Sequence, residues 1–131
     1  MRRVLVVEDE PIIRTMIVDA LEEEGYVVIE AATADDAMTI IGKFNINLLL
    51  TDIRMPGKLS GVDLAHAVAQ RFPDAGIVIA CGRFNLTELV LPKGAEIFPK
   101  PFDLRAIIAR LDAMADFAEK NAAVFLSRMR R

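Results

Sequence analysis

Four ionisable side chains sit where apolar runs stop. Glu8 and Asp9 follow Val4–Val7, Asp52 follows the run ending at Thr51, and Lys100 follows Glu96–Phe98. A carboxylate at the end of an apolar strand is costly to bury without a partner. If the first and third runs are neighbouring strands, Glu8, Asp9 and Asp52 converge in one crevice. Like charges there repel and their pKa values rise unless a cation compensates. Oxygen ligands with room for water suit Mg2+, and Lys100 complements a further anionic group. A carboxylate can also be a nucleophile toward phosphorus, giving an aspartyl phosphate. Each residue alone has a plainer reading. Glu8, Asp9 and Glu10 precede Pro11, a residue suited to the first helical position, and complement a helix dipole. Asp52 caps a turn before Pro56-Gly57, and Lys100 is a solvated lysine. Their joint placement at strand ends favours a site.

The elements that must position them alternate. Strands are expected at Val4–Val7, Val27–Glu30, Leu48–Thr51, Ile77–Ala80 and Glu96–Phe98, short runs of the kind covered on both faces. Amphipathic stretches lie between. Ile13, Met16, Ile17, Ala20 and Leu21 share one helix face, with Gly25 as the stop. Ala37, Ile40, Ile41 and Phe44 form a second, opened by Thr33 with Asp36 three residues on. Leu64, Ala65, Val68 and Phe72 form a third, ended by Pro73. Asn85–Leu91 is a short fourth, interrupted by Pro92. Asp103 opens the fifth, with Leu104, Ile107, Leu111, Met114 and Ala118 on one face. Five strands alternating with five helices predict an α/β fold, a parallel sheet with helices on both faces. Ligands bind such sheets at the carboxyl ends of the strands, where strand order reverses.

At 131 residues the chain has the length of one domain, and a 53% hydrophobic composition supports a core without staples. A net charge of −3 gives no footprint for nucleic acid, although Arg128, Arg130 and Arg131 are locally basic. The single Cys81 excludes an internal disulfide and suits a reducing compartment. No run is long enough to span a bilayer, so a cytoplasmic protein is expected.

Three segments carry a resemblance. "VLVVEDEP", "LLLTDIRMPG" and "FPKPF", in this order and spacing, resemble the receiver domain of bacterial two-component response regulators, over roughly Arg3–Met114. The resemblance implies a flavodoxin-like sheet of order 2-1-3-4-5, here with a shortened fourth helix. It implies that Asp52 is the phosphoacceptor for a histidine kinase or phosphotransfer protein. It implies Mg2+ at Asp9 and Asp52, with Glu8 acting through water and the backbone carbonyl of Arg54 completing the shell. Lys100 matches the lysine that pairs with phosphoryl oxygens, and Lys100-Pro101 matches a bond that is often cis in the family.

Two positions depart from the family. Receivers usually carry Ser or Thr at the end of strand four, where "IVIACGR" has Cys81. They carry Tyr or Phe where this chain has Ile97, the switch position. The usual relay from phosphate to output face lacks both parts, and Cys81 suits a small buried filler. His66 has no companion ligand and suits the surface; Arg83 is either solvated or steers a phosphohistidine. Residues 1–115 are expected to form the receiver and 116–131 a helical extension, with no separate output domain. The extension's stripe of Met114, Ala118, Ala122, Phe125 and Met129 suits its own domain, a second copy as a homodimer, or an output protein. The function expected is non-enzymatic signalling through protein contacts. The alternatives are a phosphorylation-independent pseudo-receiver scaffold and an aspartate-nucleophile phosphatase of the haloacid-dehalogenase type. The latter needs a second acid where Arg54 stands.

Overall fold

The computed structural model describes residues 2–82 and 90–130. Along the chain run β1 (Arg3–Val7), α1 (Pro11–Glu23), β2 (Val27–Ala31), α2 (Ala34–Ile41), β3 (Leu48–Asp52), α3 (Gly61–Arg71), β4 (Gly76–Cys81), β5 (Glu96–Pro99) and α4 (Leu104–Met129). The five strands form one parallel sheet of order β2-β1-β3-β4-β5. The expected short helix at Asn85–Leu91 falls almost wholly outside the described residues, as does Arg83. The helix expected as the fifth is therefore α4 here.

Strand alternation sorts the core into two layers. Leu5, Val7, Leu49, Ile77, Ile79 and Cys81 point to one face, where Ala37 and Ile41 of α2 and Leu64, Ala65 and Val68 of α3 cover them. Val4, Val6, Leu48, Leu50 and Val78 point to the other, under Ile17, Val18 and Leu21 of α1 and Ile107, Leu111 and Ala115 of α4. Both faces are covered, which is why the central strands are continuous apolar runs.

Helix ends follow local chemistry. Pro11 opens α1, where its missing N–H costs nothing. Thr33 caps α2 by accepting from the Asp36 amide at 3.0 Å, and Asp103 accepts from the Arg105 amide at 3.0 Å. The stripe of α1 keeps Ile17 and Leu21 inside as expected but is rotated at one edge. Val18 is buried in place of Met16, which is 53% exposed. The expected inward Phe44 lies just past α2 and is 46% exposed, with the Arg3 guanidinium 5.7 Å from its ring centre.

The last helix runs well past the core. Beyond Ala115 its described residues are exposed apart from half-buried Ala118, and Phe117, Val124, Phe125, Leu126 and Met129 are bare. Its middle is tied down by polar contacts. Arg2 reaches Asp116 and Glu119, at 2.8 Å from Glu119 Oε2, and the Tyr26 hydroxyl donates to Asp112.

Candidate functional site

The strand register builds the crevice. Val7 of β1 is level with Thr51 of β3, so Glu8 and Asp52 leave the sheet side by side. Asp52 is level with Ala80, and Cys81 with Pro99, so Lys100 follows at the same end. The Lys100 amide donates to the Cys81 carbonyl at 2.7 Å, and the Lys100-Pro101 peptide is cis.

Three of the expected residues meet as carboxylates. Oxygens of Glu8, Asp9 and Asp52 all lie within 4.8 Å of one another, the one such cluster of potential metal ligands among the described residues. Lys100 Nζ lies 2.5 Å from Asp52 Oδ2, and the Asp52 side chain is 12% exposed. Asp52 Oδ1 accepts from the Ile53 amide at 3.1 Å, which fixes the carboxylate's orientation. One ammonium facing three carboxylates leaves a surplus of negative charge.

Glu8 carries most of that imbalance. It is 4% exposed, and its Oε2 is buried with no hydrogen-bond partner. Its backbone is held on both sides: the amide donates to the Ala31 carbonyl at 3.1 Å, and Arg14 Nη1 donates to its carbonyl at 2.6 Å. Burial first, then the hydrogen bond and charge of Asp52, push the Glu8 carboxyl up to about 7. Burial pulls the Lys100 ammonium down, but its hydrogen bond to Asp52 and the surrounding carboxylates outweigh that and raise it. An orphaned buried carboxylate oxygen, surplus negative charge and an all-oxygen donor set fit a hard divalent cation.

The remaining expected residues divide. Arg54 stands two residues past Asp52, exposed on the segment between β3 and α3. That segment is pinned at its far end. The Gly61 amide donates to the Ile53 carbonyl at 2.8 Å, and a side chain at Gly61 would collide with the Asp52 carbonyl. Cys81 is buried at the end of β4, its thiol pushed up by burial and then by Asp52. Ile97 is half-buried in β5 beside Ile79. His66 is exposed on α3, its Nε2 2.6 Å from the Val90 carbonyl, and is not a member of the carboxylate cluster.

Sequence reasoning missed two supports. Ser60 and Asp63 form a reciprocal capping box at the start of α3, with Asp63 accepting from the Ser60 amide at 2.9 Å. The S-x-x-D spacing signals it, although Asp replaces the usual Glu or Gln. Asp35 also reaches across to the β3–α3 segment, a contact between residues far apart in sequence.

Comparison with known proteins agrees with this geometry. The family model of the response regulator receiver domain matches residues 4–112. The chain is 32% identical to the response regulator receiver protein CpdR of Brucella abortus, covering 87% of this chain and 97% of CpdR. It spans only about half the length of some other curated relatives, 48% of one and 45% of another. Among solved structures, a CheY-like receiver domain protein from Methanospirillum hungatei superposes with a TM-score of 0.84 at 29% identity, over 92% of this chain and 98% of that one. The response regulator TrrA from Thermotoga maritima, solved in complex with Mg2+-BeF, gives 0.74 at 30% identity, over 87% and 99%. With its sheet order, its acidic crevice and a family match over most of its length, the chain belongs to the response regulator receiver domains of two-component systems.

Proposed function

We propose that this receiver is a phosphoacceptor switch and that Asp52 is its nucleophile. The carrying observation is the 2.5 Å contact of Lys100 Nζ with Asp52 Oδ2, inside a cluster of carboxylates with an unpartnered Glu8 oxygen. An Asp52 oxygen attacks phosphorus of a phosphohistidine on a histidine kinase or phosphotransfer protein. The P–N bond breaks and its electron pair returns to the imidazole. Lys100 shifts from the carboxylate to the incoming phosphoryl oxygens. Glu8, Asp9, Asp52 and the Arg54 backbone carbonyl would hold Mg2+, which supplies charge neutralisation for those oxygens when bound.

Output then passes through protein contacts. At the end of β4 a buried thiol replaces a hydroxyl, and a thiol is a weak donor. At Ile97 an aliphatic side chain replaces a ring. Phosphorylation therefore shifts the β4–β5 side less than in receivers with both groups, because a ligand moves an equilibrium only by its differential contacts. We read residues 1–115 as the switch and 116–131 as a helical extension of it.

Labelling by acetyl phosphate in the presence of Mg2+ tests the reading. Wild type takes the label and Asp52→Asn, of nearly the same shape, folds without taking it. Equal labelling of both would place the nucleophile elsewhere, and no labelling of either would support a phosphorylation-independent scaffold.

A further inference from the structure

We infer that Asp35 is a positioning residue for the metal side of the site, an inference that rests on the phosphoacceptor reading above. Asp35 sits in the first turn of α2, yet it does not cap that helix, because Thr33 already satisfies the Asp36 amide. Its carboxylate instead crosses to the segment between β3 and α3 and accepts from the Lys58 amide at 3.0 Å. The neighbouring Gly57 shows how closely the two pieces fit. Its φ is 112°, in the region that favours glycine. A Cβ there would strike Asp35 Oδ2, so the carboxylate occupies the space that a side chain would fill.

The segment held in this way carries Arg54. One end is fixed by the Gly61 amide on the Ile53 carbonyl and by the Ser60–Asp63 box. Met55 and Leu59 pack on the core from the same stretch. Asp35 adds a side-chain hydrogen bond to the middle of the segment from another element. A backbone carbonyl ligates a metal only when its direction is fixed, and supporting contacts of this kind tune affinity without touching the ion. Asp35 does not join the ligand set; it acts through the segment that carries the Arg54 carbonyl.

Two readouts test this, both on the full chain. The first is Mg2+ affinity by calorimetry with MgCl2. Losing one hydrogen bond that orients a ligand corresponds to about a three- to tenfold weaker Kd. Asp35→Ala should show that loss, and labelling by acetyl phosphate should slow at subsaturating Mg2+ and recover at saturation. Asp35→Asn keeps an acceptor oxygen and should restore most of the affinity. Gly57→Ala, which evicts the carboxylate, should weaken binding as Asp35→Ala does. The second readout is hydrogen exchange at the Lys58 amide, which should quicken in Asp35→Ala without Mg2+. A folded Asp35→Ala with wild-type Mg2+ affinity would overturn the inference and leave Asp35 as a helix-dipole residue. Unchanged exchange at Lys58 would overturn it independently of any metal. A wild type that binds no Mg2+ while Lys58 responds would instead sink the phosphoacceptor reading, and the metal role of Asp35 with it.

Discussion

Replacing Glu8 by glutamine should make the metal-free protein more stable at pH 8 and leave it no more stable at pH 4.5. The reason is the sign of the proton balance. The Glu8 carboxyl titrates near 4.5 in an unfolded chain and at about 7 in the folded one. Between those values the folded state binds more protons than the unfolded state, so stability falls as pH rises through that window. Each unit of difference corresponds to about 1.36 kcal/mol, so the full window costs up to about 3 kcal/mol above pH 7. Most of it comes from burying the charge, for Glu8 is 4% exposed and its Oε2 has no partner. Glutamine carries no proton equilibrium there. It brings its own buried amide, but that contribution does not change with pH, so the difference between the two profiles isolates the carboxyl. Urea denaturation of both proteins in EDTA, from pH 4.5 to pH 8, measures it. The gap should open across that range in favour of Glu8→Gln, and millimolar Mg2+ should narrow it by stabilising the ionised wild-type crevice. Profiles that run parallel throughout would refute the account of Glu8 as an uncompensated buried acid.

Gly61→Ala should abolish labelling of Asp52 and lower stability by about 2 kcal/mol or more, because the added Cβ meets the Asp52 backbone and not a flexible side chain. Thermal unfolding and acetyl-phosphate labelling check both parts, and a stable, labelled variant would show that the segment can move away at little cost. Cys81→Thr should enlarge the NMR shifts that a phosphate mimic causes at Ile97 and its neighbours in β5, because a hydroxyl makes a charge-assisted bond that a thiol does not. An unchanged response would mean that output runs by another route.

The sheet was legible because its strands are unmixed apolar runs. Val4–Val7 and Leu48–Leu50 are buried as their composition predicts, and observed strand ends differ from expectation by a residue at most. The meeting of Glu8, Asp9, Asp52 and Lys100 was legible for the same reason, since parallel strands end together. What was hidden depends on three-dimensional neighbours. Sequence treats Glu8, Asp9 and Glu10 as equals, yet Glu8 is buried, Asp9 half-buried and Glu10 exposed, because only Glu8 stays in line with the strand beside Ala31. Met16 and Val18 are both apolar and less than a turn apart, and only the position of the sheet decides which one turns inward. The Asp35 contact depends on a glycine conformation 22 residues away, which no local pattern encodes.

The length of α4 has a mechanical consequence. Its first half is seated on the sheet by Ile107, Leu111 and Ala115, and Arg2 and Tyr26 grip the helix at Asp112, Asp116 and Glu119. From Lys120 to Met129, past the last of these contacts, the helix continues unbroken and in solvent. At about 1.5 Å per residue that arm is roughly 15 Å long. A tilt of about 10° at the seated half would carry the tip through roughly 2.6 Å, by the geometry of a rod of that length. Because the seated half rests on β3 and β4, the strands that carry Asp52 and Cys81, a small tilt there would be magnified at the tip.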